Sequence, residues 1–413
     1  MRILTLTNLY PNPFQPHRAP FNRNALRMLA RQHAVRVIAP ILWTDELLAR
    51  YRGAAALPPG RRRVLDDILV EHPRYLYPPR MLRDWYGHCF RWSVRQAFHQ
   101  AVQEFRPDVI FVPWAYPDGW AALELSRQAG LPVAIKVHGS DILLLPRYPA
   151  RHRGTADALQ GASCVIAVSK DLAQRVADFG VDPGRIEVVY DGIDLDVFHP
   201  GPRSAARERL SLDLDEPFVL FVGNLIALKG LEVLLDACGR LIAGNLRFAC
   251  HLVGDGPLRA RLEQAIRSKG LEGYIRLHGA LPNEQLPDWY RSANVLVLPS
   301  YSEGVPNVLL EAAACGTPFV SSRVGGIPEI AELGISWLVP AGDAAQLAEA
   351  LANFLTGPAP SRPPGAPTVR SREESVAQLT EVLERTVEEH ERNRAATNGE
   401  RCCSPLPNGC GQD

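Results

Sequence analysis

The sequence predicts an α/β protein built from two parallel-sheet domains. Three observations carry that expectation. Short apolar runs alternate with amphipathic stretches from Arg2 to Leu355, the order of strands joined by crossover helices. The alternation is interrupted at the Pro-containing stretch Asp194–Ala206 and resumes at Pro217. The turns after the apolar runs collect Gly, His, Lys and Glu, at the carboxyl edge where open α/β sheets take their ligands. A chain of 413 residues is also too long for one ordinary core, so two domains are expected.

Composition narrows the class. Apolar residues make up 46% and charged residues 22% of the chain, the balance expected of a soluble globular protein. No run of about 18 apolar residues occurs. The start, MRILTLTNLYPNP, lacks the apolar core and cleavage site of a secretory leader. The eight cysteines follow neither zinc spacing nor a disulfide framework. A cytoplasmic protein with structural cysteines, no metal and no nucleic-acid partner is the expectation. Formal net charge is zero, yet residues 1–100 carry 16 Lys/Arg against 6 Asp/Glu. Either this basic part faces an anionic acceptor or the inner face of the plasma membrane, or its arginines are simply solvated.

In chain order, Arg2–Thr7 is a first strand, Asn8–Pro20 a Pro-rich loop, Phe21–Gln32 a helix and Val35–Ala39 a second strand. Residues 41–80 read as irregular. Met81–Phe105 is helical, with Leu82, Trp85, Cys89 and Trp92 on one face and Arg83, Arg91 and Arg95 interleaved. That face is either core, the favoured reading, or an interfacial surface. Val109–Pro113, Pro132–Val137, Cys164–Val168 and Glu187–Val189 continue the strands. His138-Gly139-Ser140-Asp141 follows the second of these, where Gly139 permits close backbone approach and Asp141 is placed to orient the imidazole. A core-capping histidine is the plainer reading.

The second series opens with Phe218–Val222, then Gly223-Asn224-Leu225, Lys229-Gly230 and the helix Leu231–Ala243. Lys229 beside free helix amides suits a diphosphate; a solvated lysine is the alternative. Phe248–Val253, Ile275–Leu277, Val295–Leu298, Pro318–Ser321 and Ser336–Val339 are the later strands. Ser300–Pro318, SYSEGVPNVLLEAAACGTP, joins two of them through a helix with Pro306 in its first turn. Glu303 and Glu311 bracket the start of that helix, about 12 Å apart along the axis. That separation suits the sugar and ribose ends of a sugar nucleotide, with amides between them for phosphate. An ordinary turn with two solvated glutamates has the same spacing. Gly325-Gly326, before Ile327-Pro328-Glu329, is open to a ligand's approach or is a tight turn.

Taken together, these residues resemble the retaining glycosyltransferases of the GT4 family, whose fold is GT-B, two Rossmann-like domains facing across a cleft. The resemblance rests on the Glu303–Glu311 pair with seven residues between, on EGVPNVLLEAAACGTPFV, GGIPE and GNLIALKG. It runs from the first strand to about residue 355. It implies an acceptor-binding domain at 1–198, a sugar-nucleotide domain at 199–356, a loose linker at 357–370, a helix at 371–394 packing back on the first domain, and a disordered tail at 395–413.

The implied activity is metal-independent, cofactor-free transfer of a hexose from a UDP- or GDP-sugar to a glycan or lipid-linked acceptor, in exopolysaccharide, capsule or lipopolysaccharide synthesis. By the same resemblance His138, Glu303 and Lys229 are catalytic. Gly223, Asn224, Lys229, Gly279, Leu281, Glu303, Gly304, Val305, Pro306 and Glu311 hold the donor. Asn8, Pro20, Phe21, Arg23 and Asp141 lie on the acceptor side. Glu311 would bind the ribose, Glu303 the donor sugar and Lys229 the leaving diphosphate. Two features depart from the family: Asn224 stands where an arginine often partners the lysine, and the glycine-rich first loop is replaced by YPNPFQPHRAPFNRN. A GT-B nucleotide-sugar epimerase and a non-catalytic sugar-nucleotide-binding subunit are the rival readings.

Overall fold

The computed structural model describes residues 1–77, 83–144, 148–333, 335–357 and 368–402. The expected linker from 358 to 367, the tail from 403 onward and Leu82 lie outside them. In the first domain β1 (Arg2–Leu6) leads through α1 (Pro20–Leu29) to β2 (Ala34–Ile38). Then come β3 (Ile41–Leu42), α2 (Trp43–Tyr51), β4 (Arg62–Leu65), β5 (Ile68–Glu71), β6 (Arg74–Tyr75), α3 (Tyr86–Phe105) and β7 (Val109–Val112). The domain continues with α4 (Trp120–Ser126), β8 (Val133–Val137), α5 (Ser140–Leu143), α6 (Pro149–Gly161), β9 (Cys164–Ala167), α7 (Lys170–Asp178) and β10 (Ile186–Val188).

The second domain runs α8 (Arg203–Arg209), β11 (Phe218–Val222), α9 (Leu231–Ala243), β12 (Ala249–Val253), α10 (Arg259–Ser268), β13 (Ile275–Gly279), α11 (Leu286–Ser292) and β14 (Val295–Leu298). It closes with α12 (Asn307–Ala314), β15 (Phe319–Ser322), α13 (Ile327–Ala331), β16 (Ser336–Val339) and α14 (Ala344–Thr356), before the long α15 (Arg372–Cys402).

Among the described residues the first sheet has the order β10-β9-β8-β7-β1-β2-β5-β4 and the second β13-β12-β11-β14-β15-β16. Every pairing in these two sheets is parallel except that of β4 with β5. Strands such as FVLFV and VLVL are buried along their whole length, because crossover helices cover both faces of a parallel sheet.

Residues 41–77, the described part of the stretch expected to be irregular, carry regular structure. They hold α2 and the β4–β5 hairpin, turned at Asp66 and Asp67 with φ of 53° and 61°, the left-handed pair that a two-residue hairpin turn needs. Its charged residues hid it: Arg62 and Arg36 both pair with Glu71, at 3.0 and 3.4 Å. The core reading of the Trp face of α3 is also overturned. Gly87, Phe90, Val94, Ala97, Phe98 and Ala101 form the buried stripe, whereas Trp85 and Trp92 are 61% and 54% exposed. No helix among the described residues is long and apolar enough to cross a membrane.

Helix α15 crosses back onto the first domain. Leu379, Val382 and Leu383 are buried against Ile3, Leu26 and Val109. Ser375 Oγ donates to the Tyr190 carbonyl at 2.7 Å and Gln378 Nε2 to that of Val188 at 3.1 Å. The helix continues to Cys402 instead of ending at Arg394, so 395–402 is helical where disorder was expected; Ala395 and Ala396 favour that continuation. Because Leu383 is fully buried, Leu383→Ala is expected to cost about 2–5 kcal/mol of stability, measured by urea unfolding. A loss under about 0.5 kcal/mol, the level of a surface change, would contradict the docking of α15.

Candidate active site at the domain cleft

The second domain presents its carboxylates at the end of β14. Pro306 is the residue before α12, with extended backbone, φ −76° and ψ 115°, not a member of its first turn as expected. It supplies no capping side chain, which leaves first-turn amides available to an anion. Glu311, one face inward on α12, is buried. Its Oε2 accepts from the Tyr290 hydroxyl at 2.6 Å. Burial pushes its carboxyl up to about 7, against the opposing effects of that hydrogen bond and of Arg372.

Glu303 lies in the turn between β14 and α12. Its Oε1 accepts from Lys229 Nζ at 2.6 Å and from Ser300 Oγ at 2.6 Å. Lys229 ends a helical turn, Ala227–Lys229, before α9, and a Cβ added to Gly223, just past β11, would lie 4.0 Å from its Cε. The Tyr301 N–H donates to the Leu228 carbonyl at 2.8 Å, tying the lysine turn to the carboxylate turn. The expected cation and carboxylate therefore meet directly.

The first domain closes on this pair. A Cβ on Gly139, whose φ is 120°, would lie 2.9 Å from Gly304 Cα, and one on Gly304 would run into the His138 carbonyl. Only glycines allow the two turns to touch. Val305 packs against the cores of both domains. Glu329 completes the seam: its carboxylate accepts from the amides of Lys170 and Asp171, each at 2.9 Å, and from the Tyr190 hydroxyl at 2.6 Å. It thus caps α7 of the opposite domain with a charge suited to a helix N-terminus.

His138 stands at this contact. Burial, then the charge of Lys136, lowers its pKa to about 4, so the ring is neutral at ordinary pH. Its Nε2 is buried without a partner, and the Phe21 ring lies 4.9 Å from it, centroid to centroid. Asp141 does not orient the imidazole. Its Oδ1 accepts from the backbone amides of His138 and Gly139 at 3.1 and 2.9 Å, and its Oδ2 from that of Ala115 at 3.4 Å. It holds the turn, and burial raises its carboxyl to about 6.

The remaining expected residues divide. Asn8 donates through its amide and its side chain to the buried Asp118, at 2.8 and 3.0 Å. Pro20 opens α1 and is exposed. Arg23 is engaged by Asp66 at 2.7 Å. Asn224 is exposed beyond β11, Gly279 ends β13, and Leu281 packs on the second core. Gly325 and Gly326 pack on protein, against the Glu303 carbonyl and the Ser169 side chain, so the tight-turn reading holds. Tyr290, Ser300 and Asp118 were not singled out from sequence. Ser300 alone left a signal, as the serine of SYSEG. Among the described residues no three of His, Cys, Asp and Glu are gathered as a metal would need.

Residues 216–357 match the family described as glycosyl transferases group 1, and residues 21–197 match glycosyltransferase family 4. The D-inositol 3-phosphate glycosyltransferase of Frankia alni is 35% identical over 263 residues, 58% of this chain and 64% of its own length. The chain thus spans just under two thirds of that relative. The putative teichuronic acid biosynthesis glycosyltransferase TuaC of Bacillus subtilis is 30% identical over 363 residues, 86% of this chain and 89% of that one. The Anabaena protein HepE in complex with UDP and glucose has a similar fold, with a TM-score of 0.69 and 20% identity over 93% of this chain and 99% of that one.

Proposed function

The chain belongs to the group 1, family 4 glycosyltransferases of GT-B fold, and from that premise we propose that it moves a sugar, with retention and without a metal, from a UDP- or GDP-sugar to a glycan or lipid-linked acceptor. The observation that carries this reading is the Lys229–Glu303 pair, set 2.6 Å apart beside the His138–Gly139 turn of the facing domain. In the reaction the bond between the anomeric carbon and the diphosphate breaks, and the nucleotide diphosphate leaves with the electron pair. The acceptor oxygen bonds to that carbon from the same side, and its proton passes to the departing phosphate.

Lys229 and the α12 amides stabilise the charge that develops on the diphosphate. Glu303, once Lys229 turns to phosphate, accepts from the sugar hydroxyls. Neutral His138 supplies Nε2 to a sugar hydroxyl or to the acceptor, and positions rather than deprotonates. Glu311, held by Tyr290, accepts from the ribose diol. The seam at Glu329 limits water and hence hydrolysis of the donor. The UDP complex of HepE supports a nucleotide-sugar donor, and the likeness to TuaC supports a role in cell-surface polysaccharide synthesis.

We place the enzyme in the cytoplasm, at the inner face of the membrane. The basic first domain, with Trp85, Trp92 and Tyr51 at 61%, 54% and 89% exposure, supports that placement. Co-sedimentation with phosphatidylglycerol vesicles at low salt, weakened by Trp92→Glu, is expected. Equal recovery with phosphatidylcholine vesicles would remove the membrane from the proposal.

For the donor site, at least one of UDP, GDP and ADP is expected to raise the melting temperature. Its affinity should fall as pH drops through about 7, where Glu311 gains its proton, by roughly tenfold at one unit below. The sign follows from a raised folded pKa: the carboxyl takes up its proton above its usual range, and the protonated form is the weaker acceptor for ribose. Asp118 and Asp141 titrate nearby, at about 7 and about 6, so the readout is the difference between wild type and Glu311→Gln. Parallel pH profiles for the two proteins would remove Glu311 from ribose binding.

A further inference from the structure

A cavity of about 550 Å³ lies in the first domain, in the size range of small-molecule sites. It opens at the carboxyl edge of the sheet: Asn8 follows β1, Pro40 follows β2, and Asp45 of α2, Tyr86 and Arg151 close it. Hydrogen bonds connect it to the reacting centre. Asn8 binds Asp118; the same turn supplies the Ala115 amide to Asp141, which holds the His138 turn.

The chemistry of its walls is specific. The Arg151 guanidinium carbon lies 5.3 Å from the Tyr86 ring centroid and 5.1 Å from that of Tyr148. Aromatic faces hold this cation, and no carboxylate pairs with it among the described residues. Arg18 donates from Nη1 to Gln15 Oε1 at 2.6 Å, while its Nε is buried without a partner. It too forms no ion pair among the described residues, although its field reaches the buried Asp118. A buried guanidinium N–H left unpaired is costly, and a bound oxygen would satisfy it. Asp45 accepts only a 3.3 Å contact from Gln15 Nε2, so its oxygens remain open to hydroxyl donors.

The family likeness already places the acceptor in this domain; we infer that the acceptor taken by this cavity is a saccharide bearing an anionic group, phosphate or carboxylate. Arg18 and Arg151 meet the anion, Asp45 the hydroxyls, and the tyrosine rings the apolar faces of the sugar. The assignment rests on the glycosyltransferase reading.

The test is calorimetric titration of the full chain with glucose 6-phosphate, glucuronate, glucose and inorganic phosphate. One of the two anionic sugars is expected to bind at least about tenfold more tightly than glucose and than inorganic phosphate; which one identifies the anion. Arg18→Gln and Arg151→Gln should each abolish the preference, and Arg151→Lys should restore part of it. Equal binding of glucose, or a preference that survives both Gln variants, would overturn the inference. Nucleotide binding is measured on the same samples. Variants that keep the wild-type circular dichroism and unfolding transition as well as nucleotide binding are folded in both domains, so their loss is local; if Arg151→Gln fails that control, Arg18→Gln decides. A wild-type protein that binds no nucleotide would count against the glycosyltransferase reading instead.

Discussion

The structure turns on one ion pair. Lys229 and Glu303 come from different loops of the second domain and meet at 2.6 Å, with side chains 18% and 11% exposed. Two charges withdrawn from water this far need a partner. Without a substrate they serve each other, and Ser300 steadies the carboxylate. In the proposed reaction a sugar nucleotide would offer each a replacement, phosphate for the lysine and hydroxyls for the glutamate. The pair can therefore open without leaving either charge uncompensated, and both groups are already in place when the donor arrives.

The facing domain packs directly on the Glu303 loop. Contact between the Gly139 and Gly304 turns leaves no room for side chains, so His138 is brought to that loop by backbone contact alone. Glu329 fastens the second domain to the N-terminus of α7, and α15 returns the end of the described chain to the first domain. The two domains are thus tied together at the Glu329 seam and through α15.

The sheets were legible because parallel strands are buried on both faces and read as unbroken apolar runs; Val295–Leu298 and Phe218–Val222 were placed to the residue. The β4–β5 hairpin was not, because its turn uses two aspartates at positive φ and its strands carry arginines paired across the sheet. Helix α6 left little periodicity, since Gly154, Thr155 and Ala158 are among its buried residues. In the site, Glu303, Glu311 and Lys229 were found by motif and spacing. Their supports were not, since Tyr290 reaches Glu311 across 21 positions and Glu329 reaches Lys170 across 159; such partners follow only from tertiary packing. Asp141 was misassigned for the opposite reason. Proximity in sequence suggested the imidazole, but the nearer backbone amides claimed the carboxylate.

The most direct test is a crystal structure with an intact nucleotide-diphosphate sugar bound in the cleft. The account predicts that Lys229 Nζ leaves Glu303 for a diphosphate oxygen, that Glu303 takes a sugar hydroxyl, and that His138 Nε2 acquires its missing partner. A donor bound with the Lys229–Glu303 contact still at its present 2.6 Å, and with Nε2 still unpaired, would contradict it.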